Sequence, residues 1–405
     1  MTDSHTTPSA HKKITCLHCG NNPTPHSASW IDSTIAHTLN PFFVFVSSSR
    51  TGHALLLVSE YILDRSWDVL VSLSIIQFSG DPNHPPTSRG KVVYDEAIAR
   101  GWKMETAIIF SRPVDVYRII FPSGKKLAFS GLPRLSIDDT ASSSWIDDKA
   151  LLKKHLHAEG IPVSIGKSFD NVRKAERYFE TALKPVITKP RLGSRGRHTT
   201  TFINTSEDFR KAFLIAQQLG PHVVVEEHLI GSVYRATMID RKLAGVLAGD
   251  PPRVTGDAVH TVLELIDMKN DTRDERVSAF VPSGLTEGFL NRQGFSLGDV
   301  LEEGVTIDLT EKIGLSYGGK SREVTPYTHP KLQAELERAA QIVDDPILGF
   351  DFITTDVSAD PDTVRWGIIE CNALPFINLH HDPLEGEPVN VAGIFLDYIE
   401  KNLKK

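Results

Sequence analysis

Cysteine is scarce: three residues in 405, Cys16, Cys19 and Cys371, cannot build a disulfide framework, and a reducing cytoplasm is the default location. Long apolar runs are missing as well. Stretches such as FFVFV, Phe42 to Val46, are far too short to cross a bilayer, so no membrane segment is expected. The N-terminus, MTDSHTTPSAHKK, lacks the apolar core of a secretion signal. Basic excess is absent too: the formal net charge is −7, which argues against nonspecific nucleic-acid binding. What is there, 40% apolar and 23% charged residues, is the composition of a globular protein long enough for roughly two or three domains.

Cys16 and Cys19 form a CxxC. A four-cysteine metal site lacks its second pair, and the following GNNPTP resists the helix that a thioredoxin-like redox motif needs. Nearby His11, His18 and His26 leave a mixed Cys/His site open, but the reading taken is a reduced pair in a disordered polar tail over residues 1–30.

Residues 31–144 alternate strand and helix patterns. FFVFVSSS reads as a buried strand, GHALLLVSEYIL as a helix, WDVLVSLSIIQF as a strand, GKVVYDEAIARG as a helix and METAIIF as a third strand, which together imply a small open α/β sheet. A hairpin turning at Pro122-Ser123-Gly124 follows. A second unit begins near Trp145 with DDKALLKKHLHAEGIP, a helix capped by Asp147 and stopped by Gly160. Phe209, Ala212, Phe213, Ala216 and Leu219 keep helical spacing, and the chain ends with two strands, LGFDFITTDV and VRWGIIECNA, and a helix. Periodicity is weak from Arg273 to Leu315, where no elements are assigned.

Three stretches carry chemistry. In ITKPRLGSRGRHTTT, Lys189 ends a strand and precedes Gly193 and Gly196, without the spacing of a P-loop or a dinucleotide fingerprint. Such a glycine hairpin lets backbone amides approach phosphate oxygens while the lysine adds a fixed positive charge. In GFDFITTD and WGIIECNALP, Glu370 and Asn372 lie two apart on one strand and so share a face, with Asp351 on the strand before. Two carboxylates and an amide oxygen form a hard donor set suited to Mg²⁺, and charge in so apolar a segment needs a partner. Between them, VVVEEHLIGSVYRATMID reads as a strand ending in Glu226-Glu227, a link, and another strand, able to face an adenine edge with an acid near the ribose.

In this order the stretches resemble the ATP-grasp superfamily, over about Trp145 to Ile399. The matching residues are Lys149, Lys189 with Gly193-Ser194-Arg195-Gly196, the hinge Glu226-Glu227-His228-Leu229, and Asp351, Glu370 and Asn372. GDPPRVTGDAVHTVLELID, LSYGGKSREVTPYTHP and ECNALPFINLHHDPLEGEPVNVAG are most similar to the ATP-grasp part of cyanophycin synthetases and of bacterial glutathione-forming ligases. Ala258, Phe376 and Lys320-Ser321-Arg322 depart from that pattern. No Mur-ligase-like segment follows the last helix, so cyanophycin polymerisation by this chain alone is not expected.

The resemblance implies an α/β (α+β) ATP-grasp fold: an N-terminal pre-ATP-grasp domain over 31–144, a lid subdomain over 145–228 and a metal subdomain over 229–405. It implies a ligase that joins a carboxylate to the amine of an amino acid or small peptide through an acyl phosphate, releasing ADP and phosphate. ATP would meet Lys149, Lys189, Gly193, Ser194, Gly196, Glu226, Glu227 and Leu229. One or two Mg²⁺ ions, or Mn²⁺ in their stead, would sit on Asp351, Glu370 and Asn372. Lys189 and Arg322 are the expected catalytic residues, Arg322 gripping the substrate carboxylate as a two-pronged donor. Two other readings compete: a ligase that adds amino acids to a protein carboxylate, and a catalytically silent nucleotide-binding regulator. Dimerisation is common among similar folds, though no interface is legible.

Overall fold

The computed structural model of the chain describes residues 16–20, 23–48, 75–132, 145–193 and 196–403. The described part of the stretch expected to be disordered carries structure: Leu17–Cys19 form a 3-10 turn and His26 opens a helix, α1 (His26–Ser48). This helix takes in Phe42 to Val46, read from composition as a strand. Propagation from established turns gains a hydrogen bond for each residue fixed, and here it overrides local β-preference. GHALLLVSEYIL and most of WDVLVSLSIIQF lie outside the described residues; the end of the latter enters β1 (Ile76–Ser79).

Next come α2 (Ser88–Ala99), β2 (Lys103–Ile109), β3 (Arg112–Ile120) and β4 (Lys126–Ser130). Among the described residues the sheet runs β1-β2-β3-β4 with every neighbouring pair antiparallel: α2 links β1 to β2, and short turns link β2 to β3 and β3 to β4, so no parallel crossover is made. The cause lies between β2 and β3. Phe110 and Ser111 both take positive φ, 47° and 61°, in the two-residue turn that forces antiparallel neighbours.

The second unit comprises α3 (Lys149–Ala158), β5 (Gly166–Phe169), α4 (Val172–Thr181), β6 (Val186–Pro190), β7 (Thr200–Ile203), α5 (Ser206–Gln217) and β8 (Val223–Glu227). Asp148, not Asp147, caps α3: its carboxylate accepts from Ala150 N and Leu151 N at 3.0 and 3.1 Å. The order β5-β8-β6-β7 presents Val186, Val223 and Val225 to α4 and α5, whose Phe179, Phe209 and Phe213 bury against them. The pairing Ile187↔Glu226 and Lys189↔Val224 puts these four residues on the opposite face.

The third unit contains β9 (Ser232–Ile239), β10 (Lys242–Asp250), β11 (Arg253–Thr255), α6 (Val262–Asp271), α7 (Gly284–Arg292), β12 (Thr306–Asp308), β13 (Lys320–Glu323), α8 (Pro330–Val343), β14 (Ile347–Thr354), β15 (Trp366–Asn372) and α9 (Val391–Leu403). Its main sheet runs β13-β10-β9-β14-β15. Tyr234, Ala236, Phe350, Phe352 and Ile368 point to one face and pack on Leu152 and Leu156 of α3 and Leu332 and Leu336 of α8. Helix α9 joins this unit to the N-terminal sheet, with Phe395 and Leu396 in one core with Val93, Met104 and Tyr117. The stretch of weak periodicity contributes Phe280, Leu290 and Ile307 to a satellite core that it shares with Ile266 of α6. Among the described residues no helix is long and apolar enough to cross a membrane.

Candidate active site

Helix α3 projects Lys149 and Lys153 one turn apart on the same face, both buried. Strand β6 brings Lys189 to them and β8 brings Glu226, which is 1% exposed. One carboxylate binds two ammoniums: Lys189 Nζ lies 2.6 Å from Glu226 Oε1, and Lys153 donates to Oε2. Lys149 donates to the Gly193 carbonyl and stands 3.4 Å from Glu370 Oε2. Burial, then the charges of Lys189 and Lys149, hold Lys153 well below the ordinary lysine range. Burial, then Lys149, lowers Lys189 to about 8.

The acidic side is set by register. Asp351 pairs with Glu370 across β14 and β15, and Gly349 with Asn372, so the three polar side chains share the face opposite the Phe350–Phe352 core. Asp351 also pairs with Arg235 across β9. The guanidinium grips the carboxylate in parallel, Nε to Oδ1 at 2.7 Å and Nη2 to Oδ2 at 2.8 Å, and lies against the Phe376 ring. The amide nitrogen of Asn372 is buried without a hydrogen-bond partner. Two carboxylates and an amide oxygen on one sheet face are the donor types that suit Mg²⁺, and an ion held there would share the Asp351 carboxylate with Arg235.

Among these groups the cations Lys149, Lys153, Lys189 and Arg235 outnumber the carboxylates Glu226, Asp351 and Glu370 by one. Of these, Lys149, Lys189 and Glu370 line a cavity of about 430 Å³ together with Asp148, Gly193 and Gly196, and Asp32 and Ser33 of α1 line it as well. Lys149, Lys153 and Glu226 also wall a second cavity of about 470 Å³ toward Ile165 and Val224. The buried ammoniums of Lys149 and Lys189 at the wall of the first recess are groups that can meet phosphate oxygens.

The structure brings together Lys149, Lys189, Gly193, Gly196, Glu226 and Glu370, and Asp351 and Asn372 lie on the same sheet face as Glu370. Ser194 lies outside the described residues. Glu227 is turned away: its Oε1 accepts from Ile165 N at 2.8 Å and from Arg365 at 2.5 Å, which fastens the hinge. Leu229 is buried beside Gly367. Arg322 is not brought to the site. It is exposed on edge strand β13 and shares the row Ala248–Tyr234–Phe352, on the face opposite Asp351. Strand β13 is held in register by β10, and its two-residue alternation decides the face. Glu323 Oε2 and Thr237 Oγ1 bind the two ring nitrogens of His380 at 2.7 and 2.8 Å in a buried triad. Sequence reasoning missed Arg235 and Lys153. The first is a charge within the apolar strand VYRATMI, the same anomaly that marks Glu370, and the second lies one helical turn from Lys149.

No family model matches the chain. A cyanophycin synthetase of Nostoc sp. is 30% identical over 262 residues, 63% of this chain and 29% of that protein. The glutathione biosynthesis bifunctional protein GshAB of Listeria welshimeri is 29% identical over 319 residues, 76% of this chain and 40% of that protein. The chain thus spans well under half the length of these relatives. Among solved structures, a bifunctional glutathione synthetase from Pasteurella multocida superposes with a TM-score of 0.52 at 24% identity, over 78% of this chain and 44% of that one. The chain has the ATP-grasp fold. In this ATP-grasp fold the sheet β5-β8-β6-β7 faces the sheet that carries Asp351 and Glu370, and the lysines lie between them.

Proposed function

We propose that the chain is an ATP-dependent ligase that joins a carboxylate to an amine of an amino acid or small peptide through an acyl phosphate, releasing ADP and phosphate in the cytoplasm. The observation that carries the reading is the convergence of Lys149, Lys153 and Lys189 on Glu226 and Glu370, with Asp351 and Asn372 on the same sheet face as Glu370. Attack of a carboxylate on a γ-phosphate brings negative charges together, so preorganised cations contribute most to lowering the barrier. Lys149 and Lys189 would bind the phosphate oxygens, Lys189 leaving its contact with Glu226 as the anion arrives. Lys153 would then keep Glu226 neutralised. Gly193 and Gly196 take φ of 96° and 60°, a backbone that lets the loop approach a phosphate without side-chain hindrance and exclude water from the acyl phosphate. Mg²⁺ or Mn²⁺ held by Asp351, Glu370 and Asn372 would supply further charge at the phosphate oxygens. Arg235 replaces Arg322 as the guanidinium next to the reacting carboxylate.

The similarity to proteins named for cyanophycin and glutathione synthesis supports amino acids or short peptides as the substrate class. The test is phosphate release from Mg-ATP against pooled amino acids and small acids, with Glu370→Ala as the control. Release that requires both an acid and an amine and vanishes in the variant supports the ligase. Tight ATP binding with no release in any pool contradicts it.

A further inference from the structure

The ligase reading leaves one cluster unused. The 3-10 turn at Leu17–Cys19 and the start of α1 put Cys16, Cys19 and His26 beside His198, the last residue of the turn after Gly196. Their four ligand atoms lie within 4.8 Å of one another. Cys16 Sγ is 3.5 Å from His198 Nε2, and Cys19 Sγ is 3.4 Å from both His198 Nε2 and His26 Nε2. Sulfur and nitrogen bound to one tetrahedral zinc, at roughly 2.3 and 2.05 Å, are held about 3.5 Å apart. Three separations therefore already match the edges of that tetrahedron.

The surroundings prepare the donors. His198 Nδ1 lies 2.8 Å from the Ile215 carbonyl, which can only accept, so Nδ1 carries the proton and Nε2 turns its lone pair toward the sulfurs. Its backbone, at φ 52°, is fixed by donation to the His18 carbonyl at 3.1 Å. The thiols are not joined as a disulfide, and Cys19 and His198 are fully buried. Gly20, at φ 65°, lets the chain leave the knuckle where a Cβ would fall 2.6 Å from Tyr317 Oη.

We propose that Cys16, Cys19, His26 and His198 form a closed tetrahedral site for Zn²⁺ that staples the N-terminal segment to the stem of the Gly193–Gly196 loop. Four protein ligands leave no open position, so the role is structural. Lys312 reinforces the same junction by donating to the carbonyls of Gly196 and, at 3.2 Å, His18. The site holds the loop's far stem and α1, which together close the first cavity, in one unit.

The test is the metal content of the full chain purified without chelator, together with Co²⁺ titration of the reduced wild-type protein. About one zinc per chain is expected, with near-complete loss in Cys16→Ser/Cys19→Ser and retention in Cys371→Ser. Because the double variant could lose metal by misfolding, the cobalt experiment uses the wild-type chain: intense tetrahedral d–d bands with a sulfur-to-cobalt charge-transfer band are expected. A folded preparation with Cys16 and Cys19 reduced that holds no zinc and gives no such bands overturns the proposal.

Discussion

Arg235 holds Asp351 with two parallel hydrogen bonds of 2.7 and 2.8 Å across directly paired positions of β9 and β14. Removing the guanidinium leaves a mostly buried carboxylate without its cation, a loss of about 3 kcal/mol. Arg235→Ala is expected to lower the unfolding free energy by that amount and turnover by at least about 100-fold. Arg235→Lys restores stability only in part, because an ammonium cannot reproduce the fork. Urea unfolding and steady-state kinetics on both variants check this, and an Arg235→Ala enzyme with unaltered turnover rules out a role beside the reacting groups.

Lys189 titrates at about 8 because it is buried next to Lys149. It is therefore cationic below pH 8 and loses its charge as pH rises through that value. ATP affinity is expected to weaken between roughly pH 7.5 and 9, and Lys189→Arg, which stays charged, removes this alkaline limb. Calorimetric titration of both proteins across the range measures it.

His228 gives the acid-side counterpart. Burial lowers it from 6.5 to about 4, and its ring stands edge-on to Phe202 with centroids 4.2 Å apart. The folded-state value is depressed, so between these pH values the unfolded chain binds the proton and the folded chain does not. Its contribution is whole above pH 6.5 and falls away as pH drops to 4, by about 3 kcal/mol in total. His228→Phe is expected to flatten this part of the stability profile, as read by urea unfolding at pH 7 and pH 4. Equal acid losses in wild type and variant contradict the assignment.

The Thr237–His380–Glu323 triad is a matter of stability. His380→Ala would leave Glu323 and Thr237 buried without their shared partner, at a cost of about 3 kcal/mol. Gly245→Ala attacks the same place from the backbone, where a Cβ would stand 2.7 Å from His380 Nδ1. Thermal unfolding of both variants should show lower midpoints; an unchanged midpoint for His380→Ala sinks the structural role.

Much of the site was legible because strand and helix periods decide which side chains share a face. Asp351, Glu370 and Asn372 followed from alternation, and Phe209, Ala212, Phe213 and Ala216 from helical spacing. Arg322 falls on the other face because its row is set by a pairing with β10 that its own segment does not announce. The helix through Phe42–Val46 and the hairpin turn at Phe110-Ser111 were hidden by side chains that favour strands. His198 stands 179 residues from Cys19, beyond the reach of any spacing rule, and so the CxxC looked unpartnered.

The proposed reaction turns on the acyl phosphate. The direct measurement uses the acid identified by phosphate release, with ¹⁸O in its carboxylate, and mass analysis of the products. Transfer of one ¹⁸O into the released phosphate is the expected result, because the carboxylate oxygen that attacks the γ-phosphate leaves with it. Label in AMP, or unlabelled phosphate alongside amide formation, would contradict the account.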